Sequence, residues 1–257
     1  HQMDIDATTK KFLVMSNAGS AMCLVCHQQA YWSSNPSTHK TSTKSFAAAE
    51  GAHTGYTTVA DNGCESCHKP HTAGASARTL KSVEEGNCTP CHGSSGVAKN
   101  IQAEYQKTYR HPTYSTTPSV HEETESPSNV SHTLPETSAA TARHAECEDC
   151  HNPHASYQAN ATPPKASGML AGVWGISRTG AVVQPTGTPP SVNEYEICYK
   201  CHADSANLPQ SGGQPYPPYP VRVATQFNKR LQFDTTAVTY HPIEQGAPAI
   251  ASGYSLT

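Results

Sequence analysis

Every cysteine of the chain belongs to a C-x-x-C-H pentad. The 257 residues contain ten cysteines in five copies of this pattern, whose first cysteines are 41, 24, 59 and 51 residues apart. The paired cysteines are Cys23, Cys26, Cys64, Cys67, Cys88, Cys91, Cys147, Cys150, Cys198 and Cys201. The closing histidines are His27, His68, His92, His151 and His202. One chemistry therefore has to account for all ten cysteines.

The pentad is the attachment signal for c-type haem. Its two thiols add to the vinyl groups of one porphyrin, and the adjacent histidine becomes the proximal ligand of the iron. Zinc explains the pattern less well, because structural zinc sites usually join two C-x-x-C knuckles and five copies leave one unpaired. Redox C-x-x-C pairs occur singly in a βαβ context, which this sequence does not show. We therefore expect five covalent haem c groups.

The other ten histidines are candidates for the second axial ligand of each iron. Only four methionines are present, so bis-histidine ligation is expected at all five haems. Two candidates lie three residues after a pentad histidine, in "CESCHKPH" and "CEDCHNPH". Two others immediately precede a proline, which restricts the backbone beside the ring. The last two lie upstream of the two pentads that continue as C-x-x-C-H-x-P-H. These candidate distal ligands are His53, His71, His111, His144, His154 and His241. The weaker candidates are His1, His39, His121 and His132.

The composition limits the side-chain core. Only 35% of the residues are hydrophobic and 20 are proline, so the chain would struggle to bury a large apolar core by itself. Five haems are large apolar plates that can take its place. We expect a mostly irregular chain with a few short α-helices, wrapped around a haem stack as one domain over residues 1–257. The short interval between Cys64 and Cys88 predicts that the second and third haems are neighbours.

Two helix predictions follow from local patterns. Val97, Ile101, Tyr105 and Tyr109 recur at a spacing of four residues and predict a helix that ends before His111-Pro112. A serine and a glutamate three residues apart, Ser191 and Glu194, predict a capping box in front of the fifth pentad.

Charge and hydropathy restrict the partners and the location. The formal charge is −3, and five haems, each with two propionates and one positive charge on its ferric porphyrin, would shift it to about −8 in the oxidised protein. Nucleic acid is excluded as a partner, because it needs a basic face. No apolar run is long enough to span a bilayer. A first residue other than Met, together with covalent haem attachment, predicts an exported protein whose signal peptide has been removed, located at the cell surface or outside the cell.

The flanking residues carry a resemblance to a known group. "CLVCHQQAYW", "CESCHKPH", "YRHP", "RHAECEDCHNPH" and "EYEICYKCHAD" with the later "YHPI" resemble the multihaem c-type cytochromes of metal-reducing bacteria. Within that group they are similar to the outer-membrane cytochromes that form nanowires. The resemblance implies an extracellular protein with little secondary structure and bis-histidine haems. It also implies possible polymerisation, with a histidine of one subunit ligating a haem of the next.

Three functions are compatible with this sequence. The leading interpretation is an electron conduit, assembled as a head-to-tail homopolymer that passes electrons between redox partner proteins and extracellular acceptors. The second is a monomeric periplasmic or cell-surface electron shuttle. The third is a multihaem reductase, which needs an open axial site that the abundant histidines argue against, so we expect no enzyme activity. The first pentad lacks the histidine three residues on that supplies the link between subunits in one such filament. His39 and His53 are candidates for that link, followed by His1.

Overall fold

The chain forms two compact units. The computed structural model describes residues 15–28, 32, 37–45, 57–71, 79–82, 84–96, 98–111, 113, 133–134, 145, 147–185, 192–203, 221–222, 229–236 and 243–244. Unit 1 comprises His1–Glu123 and Arg143–Tyr157 and carries the first four pentads, whereas unit 2 comprises Thr124–Ala142 and Gln158–Thr257 and carries the fifth. The single haem-cored domain expected over residues 1–257 stays a prediction.

The helices are short. Those with described bounds are α1 Ala21–Leu24, α2 Thr38–Thr41, α3 Gly63–Cys67, α4 Glu84–His92, α5 Cys147–Cys150, α6 Glu194–His202 and α7 Lys229–Gln232. Single 3-10 turns are found at Ala18–Ser20, Ala60–Asn62, Glu104–Gln106 and Gly168–Leu170. The two longest helices, α4 and α6, both end at the closing histidine of a pentad.

The described strands are two residues long and form two small sheets. Strand β1, Thr133–Leu134, pairs in parallel with β4, Val221–Arg222. Strand β2, Gly175–Ile176, pairs antiparallel with β3, Val182–Val183, so that Gly175 lies opposite Val183. Sheets of this size add little to stability, since an isolated two-stranded ribbon is marginal in water.

In unit 1, side-chain hydrogen bonds help to hold the first and second pentads together. The Asn17 side chain accepts the backbone N–H of Met22 at 3.0 Å, which anchors the start of α1. Ser20 has a φ of +60°, which is unfavourable for a non-glycine residue by about 1–2 kcal/mol. Its hydroxyl accepts the backbone N–H of Cys64 at 2.9 Å. This contact joins the start of α1 to the start of α3.

Two glycines let the chain pass close to the pentads of unit 1. A Cβ atom at Gly63 would lie 3.0 Å from Cζ2 of Trp32, so the missing side chain lets the indole pack against the start of α3. A Cβ atom at Gly96 would collide with the carbonyl group of Cys91. The chain after α4 therefore folds back over the third pentad, where the backbone N–H of Ala98 donates to the Cys91 carbonyl at 2.9 Å.

Unit 2 has an apolar core of side chains around the fifth pentad. Helix α6 packs on β2, and Trp174, Ile176, Tyr199 and Ala203 are buried together. The Tyr199 hydroxyl donates to Oε1 of Glu244 at 2.8 Å. The ammonium group of Lys200 lies 4.7 Å from the centroid of the Trp174 ring, which is a cation–π distance.

The helix predicted through residues 97–109 is wrong. The described residues 98–111 contain only the 3-10 turn Glu104–Gln106. The backbone N–H groups of Ala98 and Ile101 donate to the carbonyls of Cys91 and His92 at 2.9 Å each. Because these donors are bonded to the third pentad, the segment does not continue as an α-helix, and tertiary contacts override its periodicity.

The capping box predicted for α6 is displaced by two residues. The helix begins at Glu194, and its N-cap is Asn193. The backbone N–H of Asn193 donates to Oε2 of Glu196 at 2.7 Å, so this pair replaces Ser191 and Glu194. Among the residues that the structure describes, no helix has the length and apolar character needed to cross a membrane.

Candidate functional site

The five pentads share one local geometry. In three of them the backbone N–H of the closing histidine donates to the carbonyl of the first cysteine, which closes one helical turn. The distances are 3.0 Å for His27, 2.9 Å for His68 and 2.9 Å for His151. In the other two, the pentad lies within α4 or α6. A helical turn brings residues three and four apart to one face, so each first cysteine lies on the same face as the second cysteine and the histidine.

Three of the pentad thiols have a raised pKa. None of the nine cysteines whose side chains are described forms a disulfide. Burial raises the pKa of Cys67 and of Cys198 above the ordinary thiol value. Burial, followed by the nearby Cys64, likewise raises the pKa of Cys23. A raised pKa favours the protonated thiol at these three cysteines.

The four pentads of unit 1 are neighbours in space. Helices α3 and α4, which carry the second and third pentads, are in contact, as the short interval between them predicts, and α4 also contacts α5 of the fourth pentad. The proximity of Cys23 to Cys64 joins the first pentad to the second. The phenol of Tyr105 lies near cysteines of the third and fourth pentads, and these neighbours contribute, after burial, to the raised pKa of Tyr105.

His154 reaches from the fourth pentad segment to the second pentad. Its ring centroid is 6.0 Å from that of His68, and the two ring planes differ by 10°. The Trp32 ring centroid lies 6.0 Å away on an edge-on approach of 71°. The side chain of Asn152 accepts the backbone N–H of His154 at 3.0 Å, which holds the turn that follows the fourth pentad.

His39 forms a second pair with the closing histidine of the third pentad. The ring centroids of His39 and His92 are 6.2 Å apart, with planes at 71°. Nδ1 of His39 lies 3.1 Å from the carbonyl oxygen of Pro153. The ring of His92 is hydrogen-bonded to the Lys99 backbone. In each ring, one nitrogen therefore has a backbone hydrogen-bond partner. This bond fixes the direction in which the second nitrogen of the same ring points.

The rings of His39, His92 and His154 have a lowered pKa. Burial lowers the pKa of His39, and its bond to Pro153 opposes this effect. Burial, followed by the nearby His39, lowers the pKa of His92. His154 is exposed over part of its surface, but Trp32 and His68 flank its ring, and desolvation lowers its pKa. A lowered pKa favours the neutral imidazole, which is the form that binds a metal.

The fifth pentad opens into a cavity of about 430 Å³. The cavity is lined by Cys198 and His202 of α6, by Tyr195 and Phe233, and by Ile243, which follows His241-Pro242 in the sequence. Its volume lies within the range of about 300–1,000 Å³ that is usual for cofactor pockets. Lys229 also lines it, and its ammonium group is suited to a propionate.

The residues present fit a haem group. The indole N–H of Trp32 is buried and finds no hydrogen-bond acceptor among the described residues, as expected beside a carboxylate-bearing cofactor. In the part of the chain that the structure describes, three or more His, Cys, Asp or Glu side chains nowhere gather as a metal site. Haem needs no such cluster from the protein, because the porphyrin supplies the remaining ligands and the chain adds axial histidines.

The structure separates the predicted distal ligands. His154 faces a pentad histidine, whereas His71, its equivalent in the second pentad segment, is exposed and has no described ring contact. His111 is exposed. The predictions for His53, His144 and His241, and for the side chain of Cys201, lie outside the described residues. The sequence places His39 among the weaker candidates, because neither a proline nor a pentad marks it. The local signal that could have found it is the serine two residues earlier, which caps α2.

Comparison with protein-family models, with curated proteins and with solved structures finds no match. The candidate function therefore depends on the pentads and on the geometry around them.

Proposed function

We propose that this protein transfers electrons through five covalently bound c-type haems. The observation that carries the proposal is the repeated pentad, which has one helical geometry in all five copies. The cavity of about 430 Å³ beside Cys198 and His202, within the usual range of cofactor pockets, supports it. A bound haem supplies one-electron exchange at its iron. The residues of this chain attach, ligate and enclose the group.

Axial ligation by two histidines distinguishes electron transfer from catalysis. An iron with imidazole on both faces has no position for a substrate, whereas a reductase needs an open one. The chain has fifteen histidines, which is more than five bis-histidine irons require. The histidine pairs in unit 1 support this ligation, because each joins a pentad histidine to one from outside the pentads.

We further propose that the protein works as an extracellular filament. The contacts among the four pentads of unit 1 favour a continuous series of cofactors within a subunit. A head-to-tail contact that does not close would extend the series from one subunit to the next. The resemblance to nanowire-forming cytochromes supports this assembly, and the monomeric shuttle is the alternative.

The haem content tests the proposal directly. The mass of the denatured protein should exceed the mass of the chain by five haems, because thioether bonds survive denaturation. A Cys198→Ala, Cys201→Ala double variant should lower the mass by one haem and serves as the matched control. A wild-type mass without covalent haem would refute the proposed function.

Microscopy and carbon monoxide binding distinguish the three functions. Negative-stain images of the purified holoprotein should show filaments, and a stable monomer would favour the shuttle. Reduced wild-type filaments should bind no carbon monoxide, because every axial position is occupied. Rapid binding at one haem in intact filaments would indicate an open site and favour a reductase.

A further inference from the structure

We propose that unit 1 holds two haem irons between histidines of different segments, one between His68 and His154 and the other between His92 and His39. This inference rests on the proposed function and goes further, because it assigns the distal ligand of the second and of the third haem. It also gives His39 a role within its own subunit. The sequence analysis instead made His39 a candidate for the link between subunits.

The ring separations agree with ligation of one metal by both rings. A metal–imidazole bond is about 2 Å long, so two nitrogens on opposite sides of one metal are about 4 Å apart and their ring centroids about 6 Å apart. The observed separations are 6.0 Å for His68 and His154 and 6.2 Å for His39 and His92. Each pair contains one pentad histidine, as bis-histidine haem ligation requires.

Ordinary aromatic packing is the competing explanation, since packed rings have centroids about 4.5–7 Å apart. The near-parallel rings of His68 and His154 have centroids 6.0 Å apart, a separation that both explanations allow, so the variants below decide between them for this pair. The hydrogen bonds of the second pair favour ligation. Histidines that bind a metal almost always donate their other ring N–H to a carbonyl, a carboxylate or water, and His39 has this arrangement with Pro153.

The two distal histidines are carried by segments that are bonded to each other. The Ser37 hydroxyl donates to the Pro153 carbonyl at 2.7 Å and accepts the backbone N–H of His39 at 3.1 Å. The backbone N–H of Thr38 donates to the Ser156 carbonyl at 2.9 Å. Pro153 therefore immediately precedes His154 in the sequence, and its carbonyl oxygen orients the ring of His39. The hydrogen bonds between the two segments would hold both distal ligands in fixed positions relative to each other.

The test uses His39→Ala and His154→Ala in the haem-loaded protein, with Tyr109→Ala, at a side chain that is 94% exposed, as the control. Each of the first two variants should keep five haems by mass, show one high-spin haem by electron paramagnetic resonance, and bind one equivalent of carbon monoxide when reduced. The double variant should bind two equivalents. Added imidazole should restore the low-spin spectrum of each variant, because it replaces the missing ligand. The control should remain low-spin.

The outcomes separate this inference from the proposed function. Five haems by mass with unchanged low-spin spectra in both variants would overturn the ligand assignment and leave electron transfer intact. A high-spin signal that imidazole does not reverse would indicate disturbed packing and would also count against the assignment. A chain without covalent haem would overturn both proposals.

Discussion

The two units bury apolar surface in different ways. Among the described residues, the buried apolar side chains of unit 1 are Trp32, Val59 and Ala155. Those of unit 2 are Ala166, Ala171, Val173, Trp174, Ile176, Val192, Ile197, Tyr199 and Ala203. Unit 1 carries four pentads and unit 2 carries one. Among the described residues, the side-chain core is therefore smaller in the unit that carries more pentads, which is the relation expected if haem forms the core.

The same contrast is visible in the polar contacts. In unit 1, hydrogen bonds such as that from the Cys64 backbone to Ser20 connect pentad segments that are distant in sequence. In unit 2, the contacts of the fifth pentad are with an apolar cluster and with the buried carboxylate of Glu244. Hydrogen bonds contribute only about 0.5–1.5 kcal/mol each. Unit 1 should therefore depend on its cofactors more strongly than unit 2.

The largest expected effect comes from removing one attachment site in each unit. A Cys64→Ala, Cys67→Ala variant should lose one haem and make unit 1 sensitive to proteolysis, because its few buried side chains cannot hold the four pentad segments together. The equivalent change at Cys198 and Cys201 should leave the cluster around Trp174 and Ile176 protected. Limited proteolysis with mass spectrometry of the fragments measures both. If proteases cut both units equally fast in both variants, the proposed difference between unit 1 and unit 2 would be wrong.

A smaller effect is expected from the side-chain core of unit 2. Trp174→Ala should lower the free energy of unfolding of this unit by about 3–5 kcal/mol, the usual loss for a buried tryptophan. Trp174→Phe is the matched control and should lose less, since it keeps an aromatic ring. Hydrogen exchange resolved by peptide measures the change, and the peptides of unit 1 should be unaffected. Comparable loss of protection in both units would show that they share one core.

The smallest effect concerns Glu244 and the pH. Burial raises the pKa of Glu244 above its ordinary value, and the hydrogen bond from Tyr199 opposes that shift. A carboxyl whose pKa is raised in the folded state stabilises the fold below its unfolded pKa of about 4.3. That stabilisation is lost as the pH rises through the folded pKa.

Tyr199→Phe tests this pH dependence. It removes the opposing hydrogen bond, so the loss of stability should extend to higher pH, and the unpaired carboxyl should cost about 1–3 kcal/mol at neutral pH. Thermal unfolding of wild type and variant between pH 4 and pH 8 measures the shift, with Glu244→Gln as the control that does not titrate. An unchanged pH profile in Tyr199→Phe would contradict the role given to this pair.

Local patterns predicted which pentads of unit 1 are neighbours, and the ligand assignments stay predictions. The neighbouring positions of α3 and α4 follow from the 24 residues between Cys64 and Cys88, since a short connection keeps two segments together. His154 was a leading candidate because of the N-P-H that follows its pentad, and it faces a pentad histidine. His71 has the same spacing from its pentad, in K-P-H, and no described ring contact. Similar local patterns therefore lead to different surroundings once the chain folds.

The sequence by itself predicts haem attachment, because the C-x-x-C-H pentad is a local pattern whose residues lie on one helical turn in every copy. It also predicts that haem supplies core material, from an apolar content of 35%. Only the tertiary structure decided which histidines face each other. His39 and His92 are more than fifty residues apart in the sequence, and the Pro153 carbonyl that orients His39 comes from a third segment. Such pairings depend on long-range packing, which local periodicity and spacing do not encode. For the same reason the segment after α4 lost its predicted helix to hydrogen bonds with Cys91 and His92.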